Sequence, residues 1–468
     1  MTHNMEITTR PNFNLIQGAI AIAMTTTAYS QVFNLPGTGQ PPAPPAPPKV
    51  ASTNAPAVAA PAPTPGPVGS FFNVKIPEAL SKGKFNLNAR LRYESVDQDG
   101  AAGITDDSNA ATIRTRFGYT TAPLYGFQGM LEGENVTVIG SKNNFNAAGS
   151  NGQGRRPAIA DPATTELNQA WVSYTYTNLL TLKGGRQRIA LDNHRFIGDV
   201  GWRQNMQTYD AVTAESKPLA GVSLFYGYMW EANRVFGDVS GLPAGNRDFK
   251  SDSHLFNAAY TGWKYGKFVG YTYLLDLENA AGFANSAATY GGYFAGMTPV
   301  TEKISVNYRT ELAFQTDYGS SLLDYSAEYF NIEAGATMKP FSVGAGYELL
   351  GSDDNDGPAG GLASFRTPLA TLHAFNGWAD SFLTTPPNGL RDAYVYGQVV
   401  LPWQMPLRVV WHKYDSDKGS VDFGNELNAM ISKSCGKNWT TMLKYAYHDG
   451  KGTLPDTQKF WAQVEFNF

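Results

Sequence analysis

Alternation of apolar and polar residues, repeated along most of the chain, limits the possible folds more than any other feature. It is cleanest in Lys459–Phe468. Phe460, Ala462, Val464, Phe466 and Phe468 fall on one face of an extended segment, and Lys459, Trp461, Gln463, Glu465 and Asn467 on the other, because successive side chains of a strand point to opposite sides. The pattern sets in at Lys84, where Phe85, Leu87, Ala89, Leu91 and Tyr93 oppose Asn86, Asn88, Arg90, Arg92 and Glu94. It recurs as Ile113, Thr115, Phe117 and Tyr119 against Arg114 and Arg116. In 304–315 it sets Ile304, Val306, Tyr308, Leu312 and Phe314 against Ser305, Asn307, Arg309, Glu311 and Gln315.

Similar runs lie at 124–139, 167–177, 219–231, 253–262, 266–276, 322–334, 341–350, 391–401, 405–414, 426–434 and 438–448. Weaker segments near 179–190, 206–215 and 361–372 bring the total to about eighteen strands, an even number as in bacterial outer-membrane barrels. Short turns such as Lys264-Tyr265-Gly266 contrast with Gly/Ala/Asn-rich stretches at 140–163 and 276–303, which read as long loops. The expectation is an all-β, transmembrane antiparallel barrel over residues 76–468.

Composition agrees. Among 468 residues there are 25 Tyr, 26 Phe and 9 Trp, with only 16% charged, and the mean hydropathy is -0.30. Aromatic girdles around a wet, polar lumen give that balance. No segment reaches the roughly 18 apolar residues of a spanning helix. The formal charge of -4 points away from nucleic acid. A single cysteine, Cys435, leaves no intramolecular disulfide.

Ahead of the alternating region, the apolar run Phe13–Met24 follows Arg10 and precedes Ala28-Tyr29-Ser30. This reads as a secretory signal over residues 1–30. Residues 31–75 form a Pro/Ala-rich segment, densest at 36–69, which cannot build a core and reads as an extended periplasmic spacer.

Arg90, Arg92, Arg114 and Arg116 recur at spacing two on the polar face of consecutive strands. Arginine does not deprotonate and its planar fork suits carboxylates. On a lipid face each would cost about 2–4 kcal/mol at mid-bilayer, so the lumen is their place. The richest stretch, Lys183–Asp210, gathers Arg186, Arg188, Arg195 and Arg203 with Asp192, Asp199 and Asp210. Its middle breaks the alternation, as an inward-folded loop between two strands would. Such a loop can narrow a passage and select by charge, or its charges can simply neutralise one another and pin it.

Other chemistries find little support. The six histidines show no metal-ligand spacing, and no nucleophile elbow or phosphate-cradling glycine motif occurs. Ser352–Gly357 lacks the first Asp and the twelfth-position Glu of a calcium loop, and reads as a solvated turn. No enzyme activity, cofactor or metal is implied.

Gly185-Arg186-Gln187, Asn193-His194-Arg195, Trp202-Arg203-Gln204-Asn205 and Tyr209-Asp210 resemble, in that order, the signature of the alginate-export family of outer-membrane porins. Arg90–Glu94, Leu167–Trp171, His373–Asp380 and Asn388–Asp392 are similar to further segments of that family. The resemblance implies an eighteen-stranded barrel with a narrow, arginine-lined pore for anionic polysaccharide. Arg186, Arg195 and Arg203 would then be lumen or constriction residues, with Asp192 and Asp210 as counter-charges. It also implies outer-membrane lipid, an anionic saccharide or small anionic solute, and barrel-insertion machinery reading the strand ending at Phe468 as partners. A general porin for small anions or sugars, and an anchor with a plugged barrel, stay open.

Overall fold

A strand with one apolar and one polar face is stable between lipid and water only if its backbone is fully paired, and closing the sheet on itself achieves that. The computed structural model describes residues 76–468 except 240–241, 243–245, 280–281 and 358–360; the expected signal segment and Pro/Ala-rich segment lie outside the described residues. A short helix, α1 (Ile76–Ser81), precedes β1 (Lys84–Asp99), β2 (Ser108–Thr120), β3 (Phe127–Val138), β4 (Thr164–Tyr176) and β5 (Leu180–Gln187). Next come β6 (Thr208–Ser216), β7 (Val222–Asn233), β8 (Asp248–Trp263), β9 (Gly266–Leu275) and β10 (Ala287–Pro299). They are followed by β11 (Ser305–Asp317), β12 (Ser326–Met338), β13 (Phe341–Leu350), β14 (Ser352–Gly357) and β15 (Gly361–Ser364). The last are β16 (Leu390–Leu401), β17 (Met405–Asp415), β18 (Asp422–Cys435), β19 (Trp439–Gly450) and β20 (Asp456–Asn467).

Among the described residues, eighteen of these strands form one closed antiparallel sheet. Each pairs with its chain neighbours, β13 passes directly to β16, and β20 closes on β1 with Val464 opposite Leu91. The seam is completed by Leu87 and Phe468, whose backbones exchange both hydrogen bonds. Outward positions are the apolar ones. Leu91, Phe117, Leu131, Val172, Leu312, Val343 and Leu443 are exposed, while Arg90, Arg92, Arg114 and Arg116 point inward and are buried.

The number of strands matches the expectation, but its membership does not. Residues 361–372 supply no barrel strand; β14 and β15 form a separate hairpin instead, so the acidic run at 352–357 is strand backbone. The missing member is β10, inside the stretch read as a loop. Its glycines hide the alternation because they make room for neighbours' rings: a Cβ on Gly291 would lie 2.5 Å from the Tyr271 hydroxyl.

At one end the connections are short turns of two to six residues; at the other they run from five residues, at 451–455, to the long segment 351–389. Segments 188–207 and 365–389 fold back into the barrel rather than outward, and Trp202, Gln204, Asn205, Leu369, His373, Trp378 and Ala379 are buried. The two loops also bond to each other, Gly198 N donating to Leu369 O at 2.9 Å and Thr371 N to His194 O at 2.9 Å.

Candidate functional site

A backbone that leaves the sheet and enters a barrel must find partners for its polar groups. Segment 188–207 finds them in the arginines of β1 and β2. Arg90 donates to the carbonyls of Gly201 at 3.0 Å and Trp202 at 2.9 Å, and its Nε to Glu465 at 3.0 Å. Arg116 pairs with Glu134 and reaches Gln204 O. Met206 N donates to Glu134 and Gln204 N to Asp161, at 3.1 and 2.8 Å. Arg92 donates to Gln463 and sits over the Trp202 ring, its guanidinium carbon 3.8 Å from the centroid. Arg114 joins Asn88 and Glu465. From the loop itself, Arg203 reaches back to Glu94 at 2.7 Å, with Asp161 and Asp380 at 3.5 and 3.7 Å.

Segment 365–389 is fixed the same way from β13 and β16–β20. Arg195 of the first loop forms a double contact with Glu348, at 2.7 and 3.2 Å, and donates to Asn376. Asn376 in turn donates to Glu348 and Asp392. Glu426 accepts from the backbone amides of Trp378 and Ala379. Asp380 takes Lys459 Nζ at 2.6 Å and His373 Nδ1 at 2.6 Å. Lys444 donates to His373 Nε2 at 2.5 Å and sits 3.9 Å from the Trp378 ring centroid. That arrangement assigns a neutral imidazole that accepts from Lys444 and donates to Asp380. Burial lowers the His373 pKa well below its ordinary value. Burial pushes Asp380 up, but His373 and Lys459 outweigh it and hold the carboxyl below the usual range. At Asp199, burial is likewise outweighed, by the hydrogen bond from His194 and the charge of Arg188, and the pKa falls to about 2.

The other side of the barrel is built differently. Tyr271, Tyr273 and Tyr329 of β9 and β12 point inward and pack with Phe196 of the loop, and Tyr293 of β10 belongs to the same cluster. The loop is fastened there by one carboxylate, Asp192, which accepts from Tyr293 at 2.6 Å and Asn257 at 2.7 Å. Beneath Arg188–Leu191 a cavity of about 660 Å³ opens towards the short turns, lined by Lys183, Arg188, Lys217 and Glu215 among others. In each ion pair of this region the cation is the more exposed partner. Arg188 is 52% exposed against 3% for Asp199, Lys267 is 42% against 14% for Asp192, and Arg309 is 17% against 1% for Glu311.

The residues singled out in the sequence thus separate into three groups. Arg90, Arg92, Arg114, Arg116, Arg195 and Arg203 are buried pins of the inward loops. Arg188, Asp192 and Arg309 border the open lumen. Arg186 and Asp210 are not in the lumen: they pair with each other at 2.7 and 2.9 Å on the outward face shared with Leu182 and Val212. The face follows from register, since Arg186 lies opposite Asp210 and Gly184 opposite Val212, and Val212 is exposed apolar surface. Gly185, at φ +118°, a conformation L side chains rarely adopt, precedes the pair. Sequence reasoning missed Lys183 and Lys267 as lumen cations, because each is an isolated lysine in an ordinary strand. It also missed Glu348, Glu426, Lys444 and Lys459 as loop anchors, because their partners lie 28 to 153 residues away in the chain, on loops whose inward course no local pattern reports.

Comparison with known proteins places this architecture. A profile of the Alginate export family matches residues 82–440. Direct comparison with curated protein sequences yields no match. Among solved structures, OccAB3 of Acinetobacter baumannii is similar over 83% of this chain and 99% of its own, with a TM-score of 0.64 at 11% identity. The outer-membrane protein OpdK of Pseudomonas aeruginosa covers the same shares with a TM-score of 0.61 at 14% identity. OpdQ of Pseudomonas aeruginosa gives 0.62 at 14% identity, again over 83% and 99%. At these identities the likeness is one of fold.

Proposed function

Because the chain belongs to the alginate-export family of outer-membrane channels, we propose that its barrel gives anionic solutes, acidic saccharides among them, passive passage selected by charge. The observation that carries this reading is the unequal exposure within the lumenal ion pairs. Arg188 and Lys267 present about half of their side chains to water, whereas Asp199 is buried and the Asp192 side chain is 14% exposed. A passing carboxylate therefore meets positive charge first. Contacts of this kind are solvated and weak, so they attract without trapping, as conduction demands.

The buried arginines have a different role. Each is already engaged by a carboxylate, an amide oxygen or a backbone carbonyl, and together they hold segments 188–207 and 365–389 across the upper lumen. They set the width of the passage; the exposed cations set its sign.

The test is single-channel recording of the refolded protein in a salt gradient. Anion-selective openings that an oligouronate blocks are the expected outcome. Cation-selective openings would refute the proposal. A total absence of openings would favour a plugged anchor.

A further inference from the structure

The two mouths of the barrel carry different charge. The eight short turns, at 121–126, 177–179, 217–221, 264–265, 300–304, 339–340, 402–404 and 436–438, hold five lysines, Lys217, Lys264, Lys303, Lys339 and Lys437, and one acid, Glu302. All five lysines are exposed. Lys217 also lines the lumenal cavity, which continues inward past Lys183 to Arg188. At the opposite mouth acids outnumber bases but the two are mixed: Asp99, Asp106, Asp107, Asp238, Glu278, Asp317, Asp324 and Asp422 are exposed beside Lys142, Arg155, Lys250, Arg391 and Lys451. In outer-membrane barrels the short turns face the periplasm and the long loops the exterior.

We infer that the basic turn mouth and the cavity behind it form a capture site for anionic solutes arriving from the periplasmic side, so that the channel takes up anions unequally from its two sides. The inference rests on the anion-selective reading above and deepens it. A rim of one charge sign raises the local concentration of the opposite ion and its rate of encounter, while a rim of the same sign lowers both. The ladder from Lys217 through Lys183 to Arg188 extends that field inward, where low-dielectric walls focus it. Glu215 is the one acid lining the cavity. At physiological ionic strength the field of exposed charges reaches about 8 Å, and at 1 M about 3 Å. The asymmetry is therefore dependent on salt.

Capture is measured with trigalacturonate as the blocking probe, added to one chamber of a planar bilayer at a time. Orientation is fixed by inserting the full chain from one side. It is checked with a membrane-impermeant thiol reagent at Cys435, exposed beside the 436–438 turn. In 0.1 M salt the blocking rate from the turn side is expected to exceed that from the loop side roughly tenfold, and the ratio should fall towards one in 1 M salt. Combining Lys217→Gln, Lys264→Gln and Lys303→Gln should remove most of the difference; these exposed turn positions leave the strand pairing untouched.

Equal blocking rates from both sides, or faster block from the loop side, in an anion-selective channel would overturn the capture site and leave the selectivity reading standing. Cation selectivity would overturn both. An asymmetry that survives in 1 M salt, or in the triple variant, would also reject these lysines as its origin.

Discussion

Two walls of the same barrel use cationic side chains for opposite ends. On β1, β2 and β20, Arg92 and Arg114 are each 1% exposed and Arg90 is 8% exposed, among Glu94, Glu134, Gln463 and Glu465. Across the lumen, Lys267 and the loop's Arg188 keep roughly half their surface in water. A guanidinium removed from water and held against the acceptors it pins has spent most of its field on them; an ammonium that stays half in water beside its acid has not. Counting basic residues in a pore sequence therefore says little about selectivity. What matters is which member of each pair is turned towards the passage.

The largest break in this contrast comes from the pinned side. Arg203→Ala leaves Glu94, Asp161 and Asp380 buried around a missing cation, and breaking a buried pair of this kind typically costs about 3–5 kcal/mol. Loop 188–207 should detach, and the variant should show a lower unfolding temperature together with larger, less selective conductance steps. A conductance equal to that of the parent would mean the loop is not the constriction.

Acid attacks the same anchors gradually. Asp199 and Asp380 are held below their unfolded values, so each contributes stability that is complete above about pH 5 and is lost as the folded carboxyl takes its proton. For Asp199, moving from 3.8 to about 2 corresponds to about 2 kcal/mol. His373 is buried neutral, so the unfolded imidazole gains its proton near 6.5 while the folded one resists. The loops are therefore predicted to loosen slowly as pH falls below about 6.5 and steeply below about 4. Thermal unfolding followed from pH 8 to pH 3 checks this. A flat profile down to pH 4 would remove His373 from the account.

On the open wall, substitutions should leave stability nearly unchanged and move selectivity. Lys267→Gln removes a charge that is 42% exposed. It should bring the reversal potential measurably towards zero, with little change in unfolding temperature. The smallest effect belongs to the outer rim. Arg186→Ala removes a partly exposed pair of the class worth about 0–1 kcal/mol, and neither conductance nor selectivity should change.

Much of the fold was legible because lipid enforces strict alternation. Phe85 to Tyr93 and Phe460 to Phe466 identify their faces without reference to any partner, and the seam between β1 and β20 follows that reading residue by residue. Strand β10 was not legible. Its outward and inward positions are filled by Ala, Gly and Thr as often as by large residues, because Tyr271 and Tyr308 need the space. The site was only half legible. The inward loop announced itself by breaking the alternation and by its charge, and Trp202-Arg203-Gln204-Asn205 turned out to be its anchoring sequence. Face and partner were another matter. Arg186 and Arg188 are two residues apart and similar in sequence context, yet one lies on the outer rim and the other in the lumen, because strand pairing ends at Gln187. No local pattern reports that.

The central claim is that exposed cations of the vestibule, and not the pinned arginines, give the channel its sign. The most direct measurement is the reversal potential, in a tenfold salt gradient, of a variant combining Lys183→Gln, Arg188→Gln and Lys267→Gln, set beside the parent. The account predicts an anion-selective parent and a variant whose reversal potential collapses towards zero while the folded barrel persists in detergent. An unchanged reversal potential would contradict it and return selectivity to the arginines of β1 and β2.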